Sequence, residues 1–283
     1  MIYKDYEANK LNNYFWDENS VRYQLINFKS YEGQIYNWLF LPGGPGADSS
    51  YLFKVAKELE LPGNTWLIDF PNNGSNQANE HYNFNQWFDL LLPTVNRFQH
   101  PVLVGQSFGG MFPLLFPQLE TILKGFVILN SSPTLWHEEA SRVAKEKGKP
   151  SLVEELQEFV ENQNPETFKR ALMACAPYYF PNQSLEKGKQ MLESLPFNYQ
   201  AAGWWQQKAS ELNFNAVWVP ENVQTLIIGG SEDCMTPPSL FLNDQRFVRD
   251  NISTVIIENA GHMPWVEDMS AVKKAFVDFI QLL

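Results

Sequence analysis

The stretch Pro101-Val102-Leu103-Val104-Gly105-Gln106-Ser107-Phe108-Gly109 joins a short apolar run to a Gly-x-Ser-x-Gly motif. The run 101–104 predicts a strand buried on both faces, and the residues after Ser107 are typical of a helix. A serine on a strained strand-to-helix turn projects its hydroxyl above the edge of a sheet. Gly105 and Gly109 would let neighbouring backbone pass close to it. We therefore predict that Ser107 is a nucleophile.

The chain around this stretch alternates short apolar runs with helical segments. Further buried strands are expected at 65–69, 126–129, 225–228 and 254–257. Helices are expected at 49–60, 84–99 and 108–120, of which the last should be short or bent because it contains Pro113. A final helix carries one apolar stripe: Val272, Phe276, Phe279, Ile280 and Leu283. This alternation predicts an α/β fold with a mostly parallel central sheet flanked by helices.

Two strands are expected before this region, and one segment interrupts it. Runs 21–28 and 34–41 are rich in β-branched and aromatic residues, and with Glu32-Gly33 as a turn they predict an antiparallel pair. Helical signals alone fill 133–215. They comprise a capping box at Ser151-Leu152-Val153-Glu154, an N-cap at Asn164 before Pro165, and helices at 184–194 and 199–212. We predict one α/β core made of residues 1–132 and 216–283, with 133–215 as an inserted helical cap.

Composition limits the partners and the compartment. The net charge of −11 over 283 residues argues against nucleic acid and anionic membranes as partners. No apolar run approaches the ~20 residues that span a bilayer. Two cysteines, Cys175 and Cys234, are too few for a disulfide framework, and residues 1–7 lack a signal-like pattern, so a cytoplasmic location is expected. No cluster has metal-ligand spacing; we expect no metal or cofactor and a small-molecule substrate, with the oligomeric state left open.

One histidine occupies the position that a general base would need. His262 lies in the loop 259–265, which leaves the last predicted strand at the same sheet edge as Ser107. His100 precedes a strand and belongs to the opposite edge. We assign solvated or packing roles to His100 and to two others, His81 and His137.

The acid and the oxyanion loop follow from the same placement. Asp233 follows the penultimate strand and is the predicted orienter of His262, with the adjacent Glu232 as the alternative. The chain order serine, acid, histidine is that of an α/β hydrolase. Leu41-Pro42-Gly43-Gly44-Pro45-Gly46 makes a stiff turn after an earlier strand, and we predict that Gly44 and Phe108 donate their N–H groups to an oxyanion.

Together these motifs resemble the α/β-hydrolase superfamily over 20–132 and 216–283. The loop 42–46 resembles the His-Gly-Gly-Pro-Gly loop of proline iminopeptidases, with Pro42 in place of histidine. Those peptidases hold the amino group of their substrate with cap glutamates, where this chain offers Gln206-Gln207, and an amide holds an ammonium more weakly than a carboxylate does. Serine at 107 argues against dehalogenases and epoxide hydrolases, relatives that use aspartate as the nucleophile.

The resemblance and the residues together predict a serine hydrolase that cleaves an ester or amide through Ser107, His262 and Asp233. Two alternatives stay open: a proline iminopeptidase-type aminopeptidase, and a non-catalytic ligand-binding protein on the same fold. Trp204 and Trp205 are the candidate substrate-binding residues. Cap aromatics in general, which also include Trp136, Tyr178 and Tyr179, can equally serve to pack the cap.

Overall fold

The computed structural model describes residues 14–28, 35–79 and 81–283, and an eight-stranded sheet lies at the centre of these residues. Its strands are β1 (Tyr14–Trp16), β2 (Arg22–Phe28), β3 (Asn37–Leu41), β4 (Asn64–Asp69), β5 (Pro101–Gln106), β6 (Gly125–Leu129), β7 (Gln224–Gly230) and β8 (Ile252–Ile257). The spatial order is β1-β2-β4-β3-β5-β6-β7-β8. Neighbours from β4 to β8 pair in parallel, whereas β1 pairs with β2, and β2 with β4, in antiparallel fashion.

Helices cover both faces of the sheet, as the predicted α/β class requires. The α-helices of the core are α1 (Phe53–Glu58), α2 (Trp87–Asn96), α3 (Phe108–Met111), α10 (Ser239–Leu242) and α11 (Met269–Ile280). One apolar cluster joins α2 and α3 to one face, and a second joins α1 and α11 to the other. In the described part of the chain, no helix has the length and apolarity needed to cross a bilayer.

The pairing of the first strands differs from the prediction. β2 and β3 do not pair, because β4 lies between them and forms an antiparallel ladder with β2 and a parallel one with β3. The predicted turn at Glu32-Gly33 lies outside the described residues. β1, for which the sequence suggested no element, extends the sheet beyond β2.

The last strand differs from its prediction, whereas the helix after Ser107 agrees with it. β8 was expected to be buried, but it is an edge strand with Ser253 and Thr254 exposed. The helix predicted at 108–120 is interrupted as expected: α3 gives way to a 3-10 turn, Phe112–Leu115, that contains Pro113.

Residues 133–215, all of them described, form helices and contribute no strand to the sheet. These helices are α4 (His137–Glu146), α5 (Val153–Glu161), α6 (Pro165–Ala174), α7 (Ala176–Tyr179), α8 (Leu185–Ser194) and α9 (Tyr199–Glu211). The predicted capping box at Ser151 is wrong, since Leu152 occupies the N-cap of α5 and makes no side-chain cap. The predicted cap of α6 is confirmed, with Asn164 accepting from the N–H groups of Glu166 and Thr167.

We call residues 133–215 the helical insertion. Its two ends meet in a short antiparallel bridge between Thr134 and Asn215. The Leu135 N–H donates to the Phe214 carbonyl at 2.9 Å, and the Ala216 N–H donates to the Pro133 carbonyl at 2.6 Å. The chain therefore leaves and rejoins the core at one place. That the helical insertion acts as a cap stays a prediction.

A buried ion-pair cluster fixes β2 against the loops that follow β3 and β4. The Arg22 guanidinium lies 2.8 Å from Asp69 and 3.3 Å from Asp48, and it donates to the Ser75 hydroxyl at 2.9 Å. Asp69 also accepts from the Ser49 N–H at 2.6 Å. Because both carboxylates are buried, the single guanidinium offsets much of the cost of removing them from water.

We expect Arg22→Met to lower the free energy of unfolding by about 3–5 kcal/mol, because two buried carboxylates lose their counter-charge. The matched control is Arg142→Gln, which removes an exposed arginine paired with Glu139 and Glu146 and should change stability little. Urea unfolding followed by circular dichroism measures both. Equal losses in the two variants would contradict the assignment of Arg22 as a core anchor.

Candidate active site

Ser107 sits on a sharp turn between β5 and α3. Its backbone has φ 52° and ψ −119°, which is a strained conformation for a side-chain-bearing residue. The turn is tight because the flanking glycines allow it. A Cβ on Gly109 would lie 2.7 Å from the Pro42 carbonyl oxygen, and one on Gly105 would lie 2.6 Å from the Gly110 nitrogen. The geometry matches the strained elbow expected from the motif.

Asp233 and His262 are in direct contact although 29 residues separate them. The imidazole Nδ1 lies 2.8 Å from the Asp233 Oδ2 atom, and both side chains are buried. A carboxylate can only accept a hydrogen bond, so we infer that Nδ1 carries the proton and that Nε2 is the basic nitrogen. This is the tautomer that a general base needs.

Four further donors surround the Asp233 carboxylate. The N–H groups of Met235 and Thr236 donate to Oδ1 at 2.8 and 3.0 Å, while the Thr236 hydroxyl and the Asn130 amide each donate to Oδ2 at 3.0 Å. Burial alone would raise the pKa of Asp233. The charge of His262 and these hydrogen bonds outweigh burial and hold the pKa below its ordinary value. Asp233 is therefore kept ionised.

Glu232 and the remaining histidines are placed differently. The Glu232 carboxylate forms an ion pair with Lys147 at 2.9 Å, whereas the carboxylate in contact with His262 is that of Asp233. His81 is exposed, and His100 lies just before β5 at the other end of the sheet. His137 begins α4 and lines the cavity described below, and burial lowers its pKa. Nothing in the sequence around His137 signalled this position.

The Gly43–Gly46 loop packs directly against Ser107. A Cβ on Gly43 would lie 2.8 Å from the Ser107 Cβ. Of the loop's N–H groups, that of Gly43 donates to the Tyr51 hydroxyl at 2.6 Å and that of Gly46 donates to Asn73 at 2.8 Å. In the described chain, the N–H groups of Gly44 and Phe108 have no acceptor. Both residues line the same cavity as Ser107, so both donors are available to a bound oxygen.

Two residues to which the sequence analysis assigned no role, Tyr51 and Gln106, connect the parts of the site. The Tyr51 hydroxyl donates to the Gln106 Oε1 atom at 2.7 Å, and the Gln106 amide donates to the His262 carbonyl at 3.3 Å. This chain links the Gly43 loop, the turn at Ser107 and the histidine loop. The Ser107 hydroxyl itself makes no hydrogen bond to a described residue. A hydrogen bond between a nucleophile and its general base often forms only when substrate is bound.

A cavity of about 520 Å³ opens above Ser107, between the sheet edge and the helical insertion. Its wall is mainly apolar and includes Met111, Trp136, Leu156, Phe168, Phe197 and Trp205. The candidate Trp205 thus lines the cavity, as do Tyr178 and Tyr179. Trp204 does not: its ring packs on Phe84 and Trp87, with centroids 5.9 and 5.5 Å away. Adjacent helix positions point about 100° apart, which explains the difference.

A second cleft of about 910 Å³ lies outside this cavity, along residues 72–79 and His81. Phe168, Leu172 and Phe197 line both spaces and separate them.

Within the described ranges, no group of three or more histidine, cysteine, aspartate or glutamate side chains is placed to hold a metal ion.

Comparison with known proteins gives the family. The model of the alpha/beta hydrolase family matches residues 38–275, and the chain belongs to that family. No curated protein matches the sequence significantly.

Solved structures share the fold at low sequence identity. One is a proline iminopeptidase-related protein from Thermus thermophilus, with a TM-score of 0.67, 16% identity, and coverage of 93% of this chain and 94% of that one. A proline iminopeptidase from Mycobacterium smegmatis has a TM-score of 0.64, 16% identity and coverage of 93% and 94%. A thermophilic esterase from Thermogutta terrifontis has a TM-score of 0.60, 18% identity and coverage of 93% and 94%. These likenesses establish the fold alone.

The environment of Asp233 leads to a pH-dependent contribution to stability. Its pKa in the folded chain is below the ordinary value of 3.8, so the carboxylate stabilises the fold fully above that value. The contribution disappears as the pH falls through the folded pKa. We expect the difference in unfolding free energy between wild type and Asp233→Asn to be constant near neutrality and to shrink below about pH 4.

Urea titrations at several pH values, from neutral to acidic, measure that difference. Asp250→Asn, which removes an exposed carboxylate, is the control for the loss of one charge. A difference that stays the same or grows on acidification would contradict the assigned role of the Asp233 charge.

Proposed function

We propose that this protein is a serine hydrolase that cleaves an ester or amide bond of a small molecule through an acyl-enzyme. The observation that carries the proposal is the 2.8 Å contact between His262 and Asp233 at the sheet edge where Ser107 stands on its strained turn. Membership of the alpha/beta hydrolase family supports hydrolysis as the reaction class. The two unpaired N–H groups beside Ser107 support acyl transfer.

In the proposed reaction, the Ser107 Oγ atom attacks the substrate carbonyl carbon while the His262 Nε2 atom takes the hydroxyl proton. Gly44 and Phe108 donate their N–H groups to the oxyanion of the tetrahedral intermediate. His262 then protonates the leaving group, and the acyl group remains on Ser107. Water then attacks the acyl carbon while His262 takes its proton. His262 returns that proton to the Ser107 oxygen as the acyl–oxygen bond breaks and the acid leaves. Asp233 fixes the imidazole orientation and stabilises its protonated form.

The free thiols of Cys175 and Cys234 support a reducing, cytoplasmic setting for this reaction. Burial, followed by the charge of Glu155, raises the pKa of Cys175 to about 12. That thiol stays protonated at neutral pH and does not compete with Ser107 as a nucleophile.

Site-directed variants test the assigned roles. A fluorophosphonate probe should label wild type and fail to label Ser107→Ala, because labelling needs the serine oxygen. Asp233→Asn should lower kcat by about 10³–10⁴-fold, as expected when the imidazole tautomer is no longer held. Glu232→Gln is the matched control and should change kcat by less than about threefold, because Glu232 pairs with Lys147.

The outcomes separate the proposal from the alternatives. Well-folded wild type that resists the probe would favour a non-catalytic ligand-binding protein. A large effect of Glu232→Gln with little effect of Asp233→Asn would reverse the assignment of the acid.

A proline iminopeptidase-type activity is the second candidate. The fold is shared with proline iminopeptidases, and Gln206 lines the cavity beside Trp205. The cavity wall contains no aspartate or glutamate among the described residues, so it offers no counter-charge to a free amino group. We expect short acyl esters to be hydrolysed faster than N-terminal prolyl amides. A preference for the prolyl amide, measured as kcat/KM on the two substrates side by side, would make the peptidase the better assignment.

A further inference from the structure

The charges around the cavity differ from those of the chain as a whole. The protein has 32 acidic and 21 basic residues. The described cavity wall nevertheless contains two lysines, Lys145 and Lys149, and no acidic residue. The remainder of the wall is mainly apolar, apart from a few hydroxyl, amide and imidazole groups. A cavity whose charged wall residues are both lysines favours an anionic ligand, even though the protein as a whole is acidic.

Helix geometry brings Lys145 to the cavity. His137, Ala140, Ser141 and Lys145 all line the wall, and their spacing of three, four and eight residues from the first places them on one face of α4. The side chain of Lys145 is exposed, so its ammonium lies where the cavity meets solvent.

The end of α4 brings Lys149 to the same wall. Gly148 has φ 66°, its N–H donates to the Lys145 carbonyl at 3.1 Å, and the Lys149 N–H donates to the Ala144 carbonyl at 2.8 Å. These bonds form a Schellman motif, which reverses the chain direction after the helix. The Tyr178 hydroxyl donates to the Pro150 carbonyl at 2.9 Å and holds the next residue. Lys149 is thus positioned by backbone bonds and is half-buried.

Neighbouring cations on this segment are already neutralised. Arg142 pairs with Glu139 and Glu146, and Lys147 pairs with Glu232. Lys145 and Lys149 form no ion pair with a carboxylate of the described chain. The two lysines that face the cavity are therefore the ones left without an intramolecular counter-charge.

We infer that the substrate of the proposed hydrolase is an anionic ester or amide, with an apolar body that fills the cavity and a carboxylate that binds Lys145 and Lys149. This inference rests on the proposed function for the reaction and on the lysines for the substrate class. The lysines contact a group remote from the scissile bond, so they bind ground state and transition state alike. Their contribution should appear in KM more than in kcat.

A matched substrate pair tests the inference. The mono-p-nitrophenyl ester of glutarate and p-nitrophenyl pentanoate have acyl chains of the same length and differ by one terminal carboxylate. We expect the ratio of their kcat/KM values, anionic over neutral, to fall about fivefold in Lys145→Gln or Lys149→Gln and about 20-fold in the double variant. The fall should come from a higher KM for the glutarate ester. Salt at about 0.5 M should reduce the wild-type ratio, because it screens the charges.

Lys147→Gln is the control, since it removes the same charge from the same segment but from an ion pair outside the cavity. We expect it to leave the ratio unchanged. An unchanged ratio in the double variant would overturn the inference. A fall in Lys147→Gln as large as in the double variant would also overturn it, because the effect would then come from the overall field.

A binding arm separates this inference from the proposed function. Calorimetry with Ser107→Ala compares phenylbutanoate with phenylbutanamide, a neutral ligand of the same shape. Tighter binding of the carboxylate, lost when both lysines are also replaced, supports the anion site even if wild type hydrolyses neither ester. Equal binding of the two ligands overturns the site even if the hydrolase proposal holds.

Discussion

Backbone segments meet around Ser107 at separations that only glycine permits. Gly105 and Gly109 let the elbow fold back on itself and against the end of β3, and Gly43 lies flat against the Ser107 side chain. These contacts accommodate the positive φ of Ser107, and the residues with free N–H groups, Gly44 and Phe108, line the same cavity. A side chain at any of the three glycines would push these segments apart. The turn at Ser107 and the loop that carries Gly44 thus form one packing unit.

The positions of the buried strands β4 to β7 along the chain could be predicted from the sequence, because strands covered on both faces are continuous apolar runs. The strand that pairs with β2 could not be predicted in this way. The short connection between β2 and β3 favoured β3 as the partner of β2. In the structure β2 pairs with β4, and the buried Arg22–Asp69 ion pair holds β2 against the end of β4. Ser151 failed as a cap because the helix begins at Val153, with Leu152 between them. For β2, a long-range contact outweighed a local pattern.

The residues of the site also fall into those that could be predicted from the sequence and those that could not. Ser107, Asp233 and His262 follow three parallel strands, and parallel strands end at one edge, so strand order was enough to group them. Asn130 and Tyr51 carry no such signal. Asn130 reaches Asp233 across 103 residues, and Tyr51 reaches Gln106 across 55. Their roles depend on which hydroxyl or amide the finished fold places beside a polar atom. Trp204 and Trp205, adjacent in sequence, were separated only by the rotation of α9.

The narrow junction between Thr134 and Asn215 makes the molecule modular. An insertion that leaves and returns at one bridge can lengthen, shorten or change its helices without shifting the register of any strand. Contacts with the site restrict this freedom: the Asn198 N–H donates to the Gly46 carbonyl at 2.9 Å, and the His262 N–H donates to the Tyr179 carbonyl at 2.7 Å. A replacement segment would have to retain both contacts. Diversification of such a chain is therefore expected to concentrate in the parts of the insertion remote from Tyr179 and Asn198, which hold the site from above.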